Sequence, residues 1–317
     1  MIEIRRLGEQ IGAEINGVDV KTMDDSTFAR IYQAWLAYNV VVVRRQVLSG
    51  EDLLAYSARF GGLTSHLTEN TRHPDYPEII VLGVNKFGPD GKLNQDVYTR
   101  GAEGFHTDGT FMQEPYKATQ LYALAVPSRG GDTYFASMYA AYDAVPQRLK
   151  ERLDGRYGAY VYGGRKERLG LKRSTLLQEE DHDAKKPVFH PIFRTHRETG
   201  RKVLFFNPLG ILRIEGLEAA ESDAIIEELT GYMLQPHGMY THKWSKGDVV
   251  IWDNRCSYHK AAGDYPPEED RIHWRVSIRD VVATPRILQE AASSRQENLT
   301  AGLKFKSSAD TLNSDAP

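Results

Sequence analysis

The stretch Arg271-Ile272-His273-Trp274-Arg275-Val276-Ser277-Ile278 alternates apolar and polar residues along its whole length. This period of two predicts a strand, whose successive side chains point to opposite faces of a sheet. One face is apolar and the other carries two arginines. If the cationic face meets solvent, the arginines are ordinary outward residues of a half-buried strand. If it lines a barrel, two buried guanidinium groups require anionic partners.

Other short β-type runs surround this strand, separated by turns such as Arg129-Gly130-Gly131-Asp132. They lie at residues 79–82, 119–126, 203–206 and 249–252. Many strands without alternating helices predict a mainly β fold, a sandwich or jelly roll, rather than a doubly wound sheet. We expect a flanking helix that is capped by residues 24–26 and has its apolar positions between residues 28 and 36, two further flanking helices at 51–60 and 222–233, and a buried strand in the β-branched run 40–43.

Composition excludes several classes of protein. The 317 residues hold 40 Lys+Arg against 43 Asp+Glu, a formal net charge of -3, so a nucleic-acid partner is not expected. Cys256 is the single cysteine, which rules out an intrachain disulfide and zinc sites with two cysteine ligands. We interpret it as a small buried apolar residue. A reducing, cytoplasmic setting fits, and no apolar run approaches the ~20 residues of a membrane helix.

We expect residues 1–283 to form a single catalytic domain, because no repeat or Ser/Gly linker divides them. Residues 284–317 are polar and poor in aromatic residues, which predicts a tail that is partly helical or disordered. The segment 163–186 is crowded with charge. We favour a solvated insertion over the alternative of a mobile lid above a site.

The stretch Phe105-His106-Thr107-Asp108-Gly109-Thr110-Phe111 contains the first candidate site residues. If it is an extended strand, His106 and Asp108 project to the same face. His-x-Asp alone arises often by chance, so a third ligand is needed. The best candidate is His259, which follows the predicted strand at 249–252.

Two histidines and one carboxylate on one face of an ion form the facial triad of non-haem Fe(II) oxygenases, which leaves coordination positions open. Iron is therefore the expected metal, on His106, Asp108 and His259. Because the strand at 271–278 lies close to His259 in the sequence, we favour the interpretation in which its cationic face lines a barrel. A dicarboxylate cosubstrate would need such an anion clamp, and a planar guanidinium binds a carboxylate bidentately.

In combination, several stretches resemble the Fe(II)/2-oxoglutarate-dependent taurine dioxygenase and dichlorophenoxyacetate dioxygenase family, over most of the chain from residue 12 to residue 280. The resemblance is carried by His106-Thr107-Asp108, residues 127–133, residues 194–196 with 199–202, residues 252–255, and His259 followed by Arg271 and Arg275.

The resemblance implies a double-stranded β-helix of the cupin-like jelly-roll type, with iron on His106, Asp108 and His259. It also implies that Thr133 and Arg271 hold the distal carboxylate of 2-oxoglutarate. Arg275 would face the substrate's anionic group or support the cosubstrate. His66 matches a substrate-binding histidine of taurine dioxygenase. An asparagine that contacts taurine in that enzyme has no counterpart in residues 101–104, which argues against taurine itself.

The function implied is hydroxylation of a small anionic organic substrate, an aryloxyalkanoate, sulfonate or alkyl sulfate, with succinate and carbon dioxide as products. The resemblance also suggests a homodimer or homotetramer. The alternative is a redox-inert cupin-like hydrolase or isomerase that uses the same metal triad. Arg271 and Thr133 argue against that alternative, because it needs no dicarboxylate clamp.

Overall fold

The computed structural model describes residues 2–65, 71–84, 86–87, 91–98, 101–165 and 186–280. In these ranges the strands are β1 Glu3–Arg6, β2 Ala13–Asn16, β3 Val40–Val43, β4 Gly62–Thr64, β5 Ile79–Leu82, β6 Ala118–Ala125, β7 Thr133–Ser137, β8 Tyr157–Tyr160, β9 Val188–Pro191, β10 Phe193–Thr195, β11 Lys202–Leu204, β12 Ile211–Ile214, β13 Met239–His242, β14 Val249–Asp253, β15 Ser257–Ala261 and β16 Ile272–Arg279. The helices are α1 Asp25–Tyr38, α2 Gly50–Ala58, α3 Gln95–Tyr98, α4 Met138–Ala144, α5 Gln147–Leu153 and α6 Ala219–Tyr232, with a 3₁₀ turn at Pro236–Gly238.

Two sheets face each other at the centre of the fold. The larger has the strand order β1-β2-β3-β14-β6-β16-β4, and β5 pairs with the same edge of β16 as β4 does. The smaller has the order β13-β7-β15. Strands far apart in the chain thus become neighbours, as β14 with β3 and β16 with β6. This is the jelly-roll arrangement that the strand pattern predicts.

Three apolar clusters lie in three layers. The cluster between the two sheets combines Val40, Val42 and Leu121 of the larger sheet with Phe135 of the smaller one. A second cluster joins the outer face of the larger sheet to α1 and α2. A third joins the outer face of the smaller sheet to α4 and α6. Each sheet is therefore covered on its outer face.

The valine run of β3 shows how the sequence specifies this layering. Val41 and Val43 point into the helix layer, whereas Val40 and Val42 point between the sheets. All four are at most 1% exposed. A strand buried on both faces has no polar side, so its sequence is a continuous apolar run rather than an alternating one.

Side-chain caps mark the starts of the helices next to β3. Asp24 accepts a hydrogen bond from the Thr27 amide at the start of α1. Ser49 and Asp52 form a reciprocal capping box at the start of α2. Each cap satisfies amides that the first turn of a helix leaves unpaired. We had predicted that this helix ends at residue 60, but α2 ends at Ala58.

The cationic face of β16 lines the interior. His273 and Ser277 are at most 2% exposed on this face, and Trp274, Val276 and Ile278 of the other face pack into the helix layer. The lining interpretation is therefore confirmed, although composition alone favours an exposed face.

The charged segment 163–186 lies mostly outside the described residues, and the tail from 284 onward lies entirely outside them. The expected lid or insertion, the tail and the domain boundary at residue 283 remain predictions. In the part of the chain that the structure describes, every helix is too short or too polar to cross a membrane.

Candidate functional site

His106 and His259 meet through their backbones. The His106 amide donates to the His259 carbonyl at 3.0 Å, and the His259 amide donates to the His106 carbonyl at 2.8 Å. Residues that exchange both hydrogen bonds lie directly opposite each other, with their side chains on the same face. The ring centroids are accordingly 4.3 Å apart. Strand β15 carries His259, whereas His106 makes only this isolated bridge.

Asp108 reaches the same point from a turn. We had predicted an extended strand through Asp108, which is wrong, because residues 108–110 form a turn directly after the bridge. The carboxylate nevertheless approaches both imidazoles. His106 Nε2 lies 4.0 Å from Asp108 Oδ1, and His259 Nε2 lies 3.7 Å from Asp108 Oδ2. A tight turn brings the side chain back toward the bridge as effectively as a strand would.

These three side chains could hold a metal ion. Each offers one ligand atom, and the three atoms lie within 4.8 Å of one another. His106 Nδ1 lies 3.0 Å from the Gly104 carbonyl, which can only accept. The proton of a neutral His106 therefore sits on Nδ1, and the lone pair of Nε2 faces Asp108. This tautomer is the one that a metal ligand requires.

The electrostatics also suit a cation. Burial opposes ionisation of Asp108, but Arg275, His259, His106 and the Thr119 hydroxyl together hold its pKa well below the usual range. Burial and the neighbouring His106 lower the pKa of His259 to about 3, against the opposing effect of Asp108. At neutral pH the site therefore holds one carboxylate and a neutral His259 imidazole, which are the ligand forms of these groups.

A chain of hydrogen bonds fixes the Asp108 carboxylate. Trp252 Nε1 donates to Asn254 Oδ1 at 3.0 Å, and Asn254 Nδ2 donates to Thr119 Oγ1 at 2.9 Å. Thr119 Oγ1 in turn donates to Asp108 Oδ2 at 2.7 Å. Because Thr119 already accepts from Asn254, its own hydrogen is directed at the carboxylate. Neither Thr119 nor Asn254 was predicted as a site residue, although Asn254 lies in one of the motifs that carry the resemblance.

Hydrogen bonds from two other side chains hold the turn that carries Asp108. His190 Nε2 lies 3.0 Å from the carbonyls of both Thr110 and Met112, and Asn207 Nδ2 donates to Thr110 Oγ1 at 2.9 Å. Burial and Arg194 lower the pKa of His190 to about 4, so it serves as a neutral donor. This role of His190 was not predicted from the sequence.

Arg271, which directly precedes β16, and Thr133, the first residue of β7, form a second polar group. Arg271 Nε donates to the Gly131 carbonyl at 2.8 Å, and its Nη2 lies 3.4 Å from Thr133 Oγ1. A Cβ at Gly131 would lie 3.1 Å from Arg271 Cδ, and Gly131 has a φ of +71°. Glycine therefore fits both the turn and the close approach of the arginine.

Arg271 has no salt bridge to a carboxylate among the described residues, although Asp132 and Asp264 influence it from further away. Burial lowers its pKa to about 10, and Tyr265, Asp132 and Asp264 offset part of that effect. The group still carries a charge at neutral pH. A buried guanidinium without a close counter-ion is costly, so this position fits an anion from outside the chain.

Arg275 lies on the inner face of β16, and its Nη2 is 3.0 Å from Asp108 Oδ2. The two arginines therefore contact different parts of the site. Arg271 contacts Thr133, and Arg275 contacts Asp108 of the possible metal site. His66 falls outside the described residues, so its predicted contact with substrate remains a prediction.

A second cluster of possible metal ligands consists of His196, Asp253 and Cys256. His196 Nδ1 accepts from the Thr199 amide, so Nε2 carries the proton toward Asp253 Oδ2 at 3.1 Å. Arg255 donates to both oxygens of Asp253. Burial raises the pKa of the Cys256 thiol far above the usual range, and Asp253 adds to this. The ligand atoms are occupied by these contacts, so the cluster is structural; the expectation that Cys256 is buried is confirmed, since it is 1% exposed.

Comparison with known proteins agrees with this geometry. The family model described as "Taurine catabolism dioxygenase TauD, TfdA family" matches residues 3–277. The (S)-phenoxypropionate/alpha-ketoglutarate-dioxygenase of Sphingobium herbicidovorans is 33% identical over 287 residues, which cover 87% of this chain and 94% of that protein. The alpha-ketoglutarate-dependent 2,4-dichlorophenoxyacetate dioxygenase of Cupriavidus pinatubonensis is 32% identical, over 78% of this chain and 88% of that protein.

The crystal structure of a taurine dioxygenase from Burkholderia xenovorans superposes with a TM-score of 0.71 at 29% identity, and the match covers 88% of this chain and 89% of that one. These relatives support an oxidative function over the hydrolase or isomerase alternative. They imply 2-oxoglutarate as cosubstrate and a metal. The group of His106, Asp108 and His259 suits the metal, and Arg271, which has no salt bridge among the described residues, suits the acid. The chain belongs to the taurine catabolism dioxygenase TauD, TfdA family and is an oxidoreductase.

Proposed function

We propose that this protein is an Fe(II)- and 2-oxoglutarate-dependent dioxygenase that hydroxylates a small anionic organic substrate and releases succinate and carbon dioxide. One observation carries the proposal. Three ligand atoms of His106, Asp108 and His259 lie within 4.8 Å of one another, and Arg271, on the strand segment that leads to Arg275, has no salt bridge to a carboxylate among the described residues. An oxo-acid cosubstrate requires both a metal site and an anion site, because one end of the acid binds the metal and the distal carboxylate binds a cationic side chain.

Fe(II) is the proposed metal because two imidazoles and one carboxylate on one face form the ligand set of non-haem iron oxygenases. No cysteine competes at this position, which disfavours softer metals. Thr119 holds the orientation of Asp108, and the Gly104 carbonyl holds the tautomer of His106. When bound, iron and 2-oxoglutarate together supply the oxidising power for the hydroxylation.

Arg271 and Thr133 are the proposed contacts of the distal carboxylate of 2-oxoglutarate. Thr133 Oγ1 receives the indole N–H of Trp244 at 3.0 Å and lies 3.4 Å from Arg271 Nη2. A hydroxyl has one hydrogen and two lone pairs. With both lone pairs facing donors, the hydrogen of Thr133 is left for an acceptor, and a carboxylate fits that requirement.

Arg275 is the proposed contact of the substrate's own anionic group. Its side chain is 18% exposed and lies beside the metal group, so an acid that enters from solvent can reach it. Aryloxyalkanoates, sulfonates and alkyl sulfates all present an anion to a guanidinium and a C–H bond to the metal. His66 is proposed as a second substrate contact.

We further propose a cytoplasmic location and a homodimer or homotetramer. The single cysteine, buried and without a disulfide partner in the chain, is compatible with a reducing compartment. Light scattering of the purified protein would measure the oligomeric state directly.

The test is oxygen consumption by the purified protein with Fe(II), 2-oxoglutarate and a panel of small acids of these three classes. We expect one or more acids to stimulate oxygen uptake, with succinate formed in equal amount to the hydroxylated product. Omission of 2-oxoglutarate and replacement of Fe(II) by Zn(II) are the controls. Conversion of an acid in the absence of 2-oxoglutarate and oxygen would instead support the hydrolase or isomerase alternative.

A further inference from the structure

His273 is a buried histidine whose ring has no hydrogen-bond partner among the described residues. It is 0% exposed, and both Nδ1 and Nε2 are unpaired. A buried polar group that gives up its contacts with water without gaining others is destabilising, and most such groups in proteins are paired. A fully buried imidazole with two unpaired nitrogens therefore requires an explanation.

The position of His273 connects it to the anion site. His273 and Arg275 are alternate residues of β16 and share its inner face, and Arg271 lies two residues before His273, directly ahead of the strand. Its cross-strand neighbours are Ala123 and Leu82, neither of which has a polar side chain. The imidazole can thus be satisfied only from the space between the sheets.

Trp244 joins His273 to the same site. The two rings meet edge to face with centroids 4.4 Å apart, and the indole N–H of Trp244 reaches Thr133 Oγ1 at 3.0 Å. On its other side Trp244 meets His242, again with centroids 4.4 Å apart. His273 is therefore packed against the residue that orients Thr133, at the Arg271 end of the inner face.

The charge state of His273 fits a donor to an anion. Burial, and then the neighbouring Arg271 and His242, hold the pKa of His273 well below the usual range, so the ring is neutral. A neutral imidazole keeps one N–H, which can donate to a carboxylate without adding a second cation beside Arg271. The guanidinium supplies the charge, and the imidazole supplies a further hydrogen bond.

We propose that His273 is a third contact of the distal carboxylate of 2-oxoglutarate, donating an N–H beside Arg271 and Thr133, with Trp244 as a positioning residue for both His273 and Thr133. This inference rests on the proposed function. It assigns to His273 the selection of an oxo-acid with two carboxylates over one that lacks the distal carboxylate.

The test measures binding rather than turnover. The Mn(II)-loaded protein is titrated calorimetrically with N-oxalylglycine, a dicarboxylate analogue of 2-oxoglutarate, and with 2-oxobutyrate, which has no distal carboxylate. His273→Phe keeps an aromatic ring against Trp244 but removes the N–H, and His273→Gln restores an N–H without the ring. His237→Phe, at the Pro236–Gly238 turn, is the matched histidine control.

We expect His273→Phe to weaken N-oxalylglycine about tenfold or more, since hydrogen bonds to charged groups are among the stronger ones. The affinity of this variant for 2-oxobutyrate should stay within about twofold of that of the original protein, because 2-oxobutyrate has no distal carboxylate for His273 to contact. His273→Gln should recover part of the loss, and His237→Phe should change neither affinity. The melting temperature of each variant, measured in parallel, identifies one that has merely lost its fold.

Two results would overturn the inference. One is unchanged N-oxalylglycine affinity in a folded His273→Phe variant, and the other is an equal loss for both acids. Failure of the unmodified Mn(II) protein to bind N-oxalylglycine at all would instead contradict the proposed function. The two failures are therefore distinguishable in one set of titrations.

Discussion

The backbones of His106 and His259 exchange two hydrogen bonds, which places their imidazoles side by side with ring centroids 4.3 Å apart. Two distant parts of the chain thus meet through main-chain pairing, the most regular contact that a protein makes. Only Asp108, in the turn that follows, depends on side-chain contacts for its place, and it receives them from Thr119 and Arg275.

Replacement of a metal ligand should remove both the metal and the reaction. We expect His106→Ala and His259→Ala each to abolish succinate formation, because only two ligands then remain. Inductively coupled plasma analysis of the purified variants measures the bound iron. His237→Ala serves as the histidine control. Iron-dependent turnover that persists in either ligand variant would show that the assignment is wrong.

Thr119→Val should weaken metal binding while keeping the shape of the side chain. The substitution removes the hydroxyl that donates to Asp108 Oδ2 at 2.7 Å. Loss of an interaction that orients a ligand typically lowers metal affinity or activity about 10- to 100-fold. Titration with Fe(II) under anaerobic conditions measures the effect, with Thr241→Val on the exposed side of β13 as control. Equal affinity in the two variants would contradict this role.

Arg271 and Arg275 should each affect the binding of a different acid, Arg271 that of 2-oxoglutarate and Arg275 that of the prime substrate. We expect Arg271→Ala to raise the KM for 2-oxoglutarate by about 10- to 100-fold, the scale of a lost charged pair. Arg275→Ala should mainly raise the KM for the prime substrate. It should also reduce iron affinity, because Arg275 contacts Asp108 at 3.0 Å. Steady-state kinetics with each acid varied in turn checks the division, and an unchanged cosubstrate KM in Arg271→Ala would count against it.

Asp253→Asn should destabilise the fold without changing the metal content. Asp253 is 1% exposed and pairs with Arg255 and His196. Removal of one partner from a buried charged group typically reduces the free energy of unfolding by about 3–5 kcal/mol. Urea denaturation measures this, and Glu228→Gln, in the surface pair with Arg148, should lose less than about 1 kcal/mol. A lower iron stoichiometry in folded Asp253→Asn would instead indicate a second metal site.

Stability should fall as the solution is acidified below pH 6.5. The pKa of His190 is lowered from 6.5 to about 4 in the folded protein. The unfolded chain therefore takes up its proton first, and the stabilisation present above pH 6.5 is lost as the pH falls toward 4. A shift of this size corresponds to roughly 3 kcal/mol. Urea midpoints between pH 7 and pH 4 should decline less in His190→Gln, which keeps an N–H donor; an identical decline would exclude His190 as a cause.

The sequence was sufficient for features that depend on local pattern. The valine run of β3, the caps of α1 and α2 and the alternation of β16 each specify their structure through neighbours in the chain. The group of His106, Asp108 and His259 also came together as predicted, although His106 and Asp108 lie on a bridge and in a turn rather than in one extended strand.

Features that depend on partners distant in the chain could not be predicted. Thr119 directs its hydrogen at Asp108 only because Asn254 already donates to it, and no local pattern contains that pair. His273 is similar, because alternation gives its face but not its lack of a partner. The role of His190 depends on carbonyls of the turn at residues 110–112, which the predicted strand would have placed elsewhere.

Strand β16 is hydrogen-bonded along both edges, to β6 on one side and to β4 and β5 on the other. Such a strand cannot slide or stretch, so the backbone sets the interval between the Cα atoms of His273 and Arg275, about 7 Å at ~3.3 Å per residue. That interval is the same whichever acid enters. New substrate preferences can therefore arise in the surrounding loops while recognition of the oxo-acid is left intact.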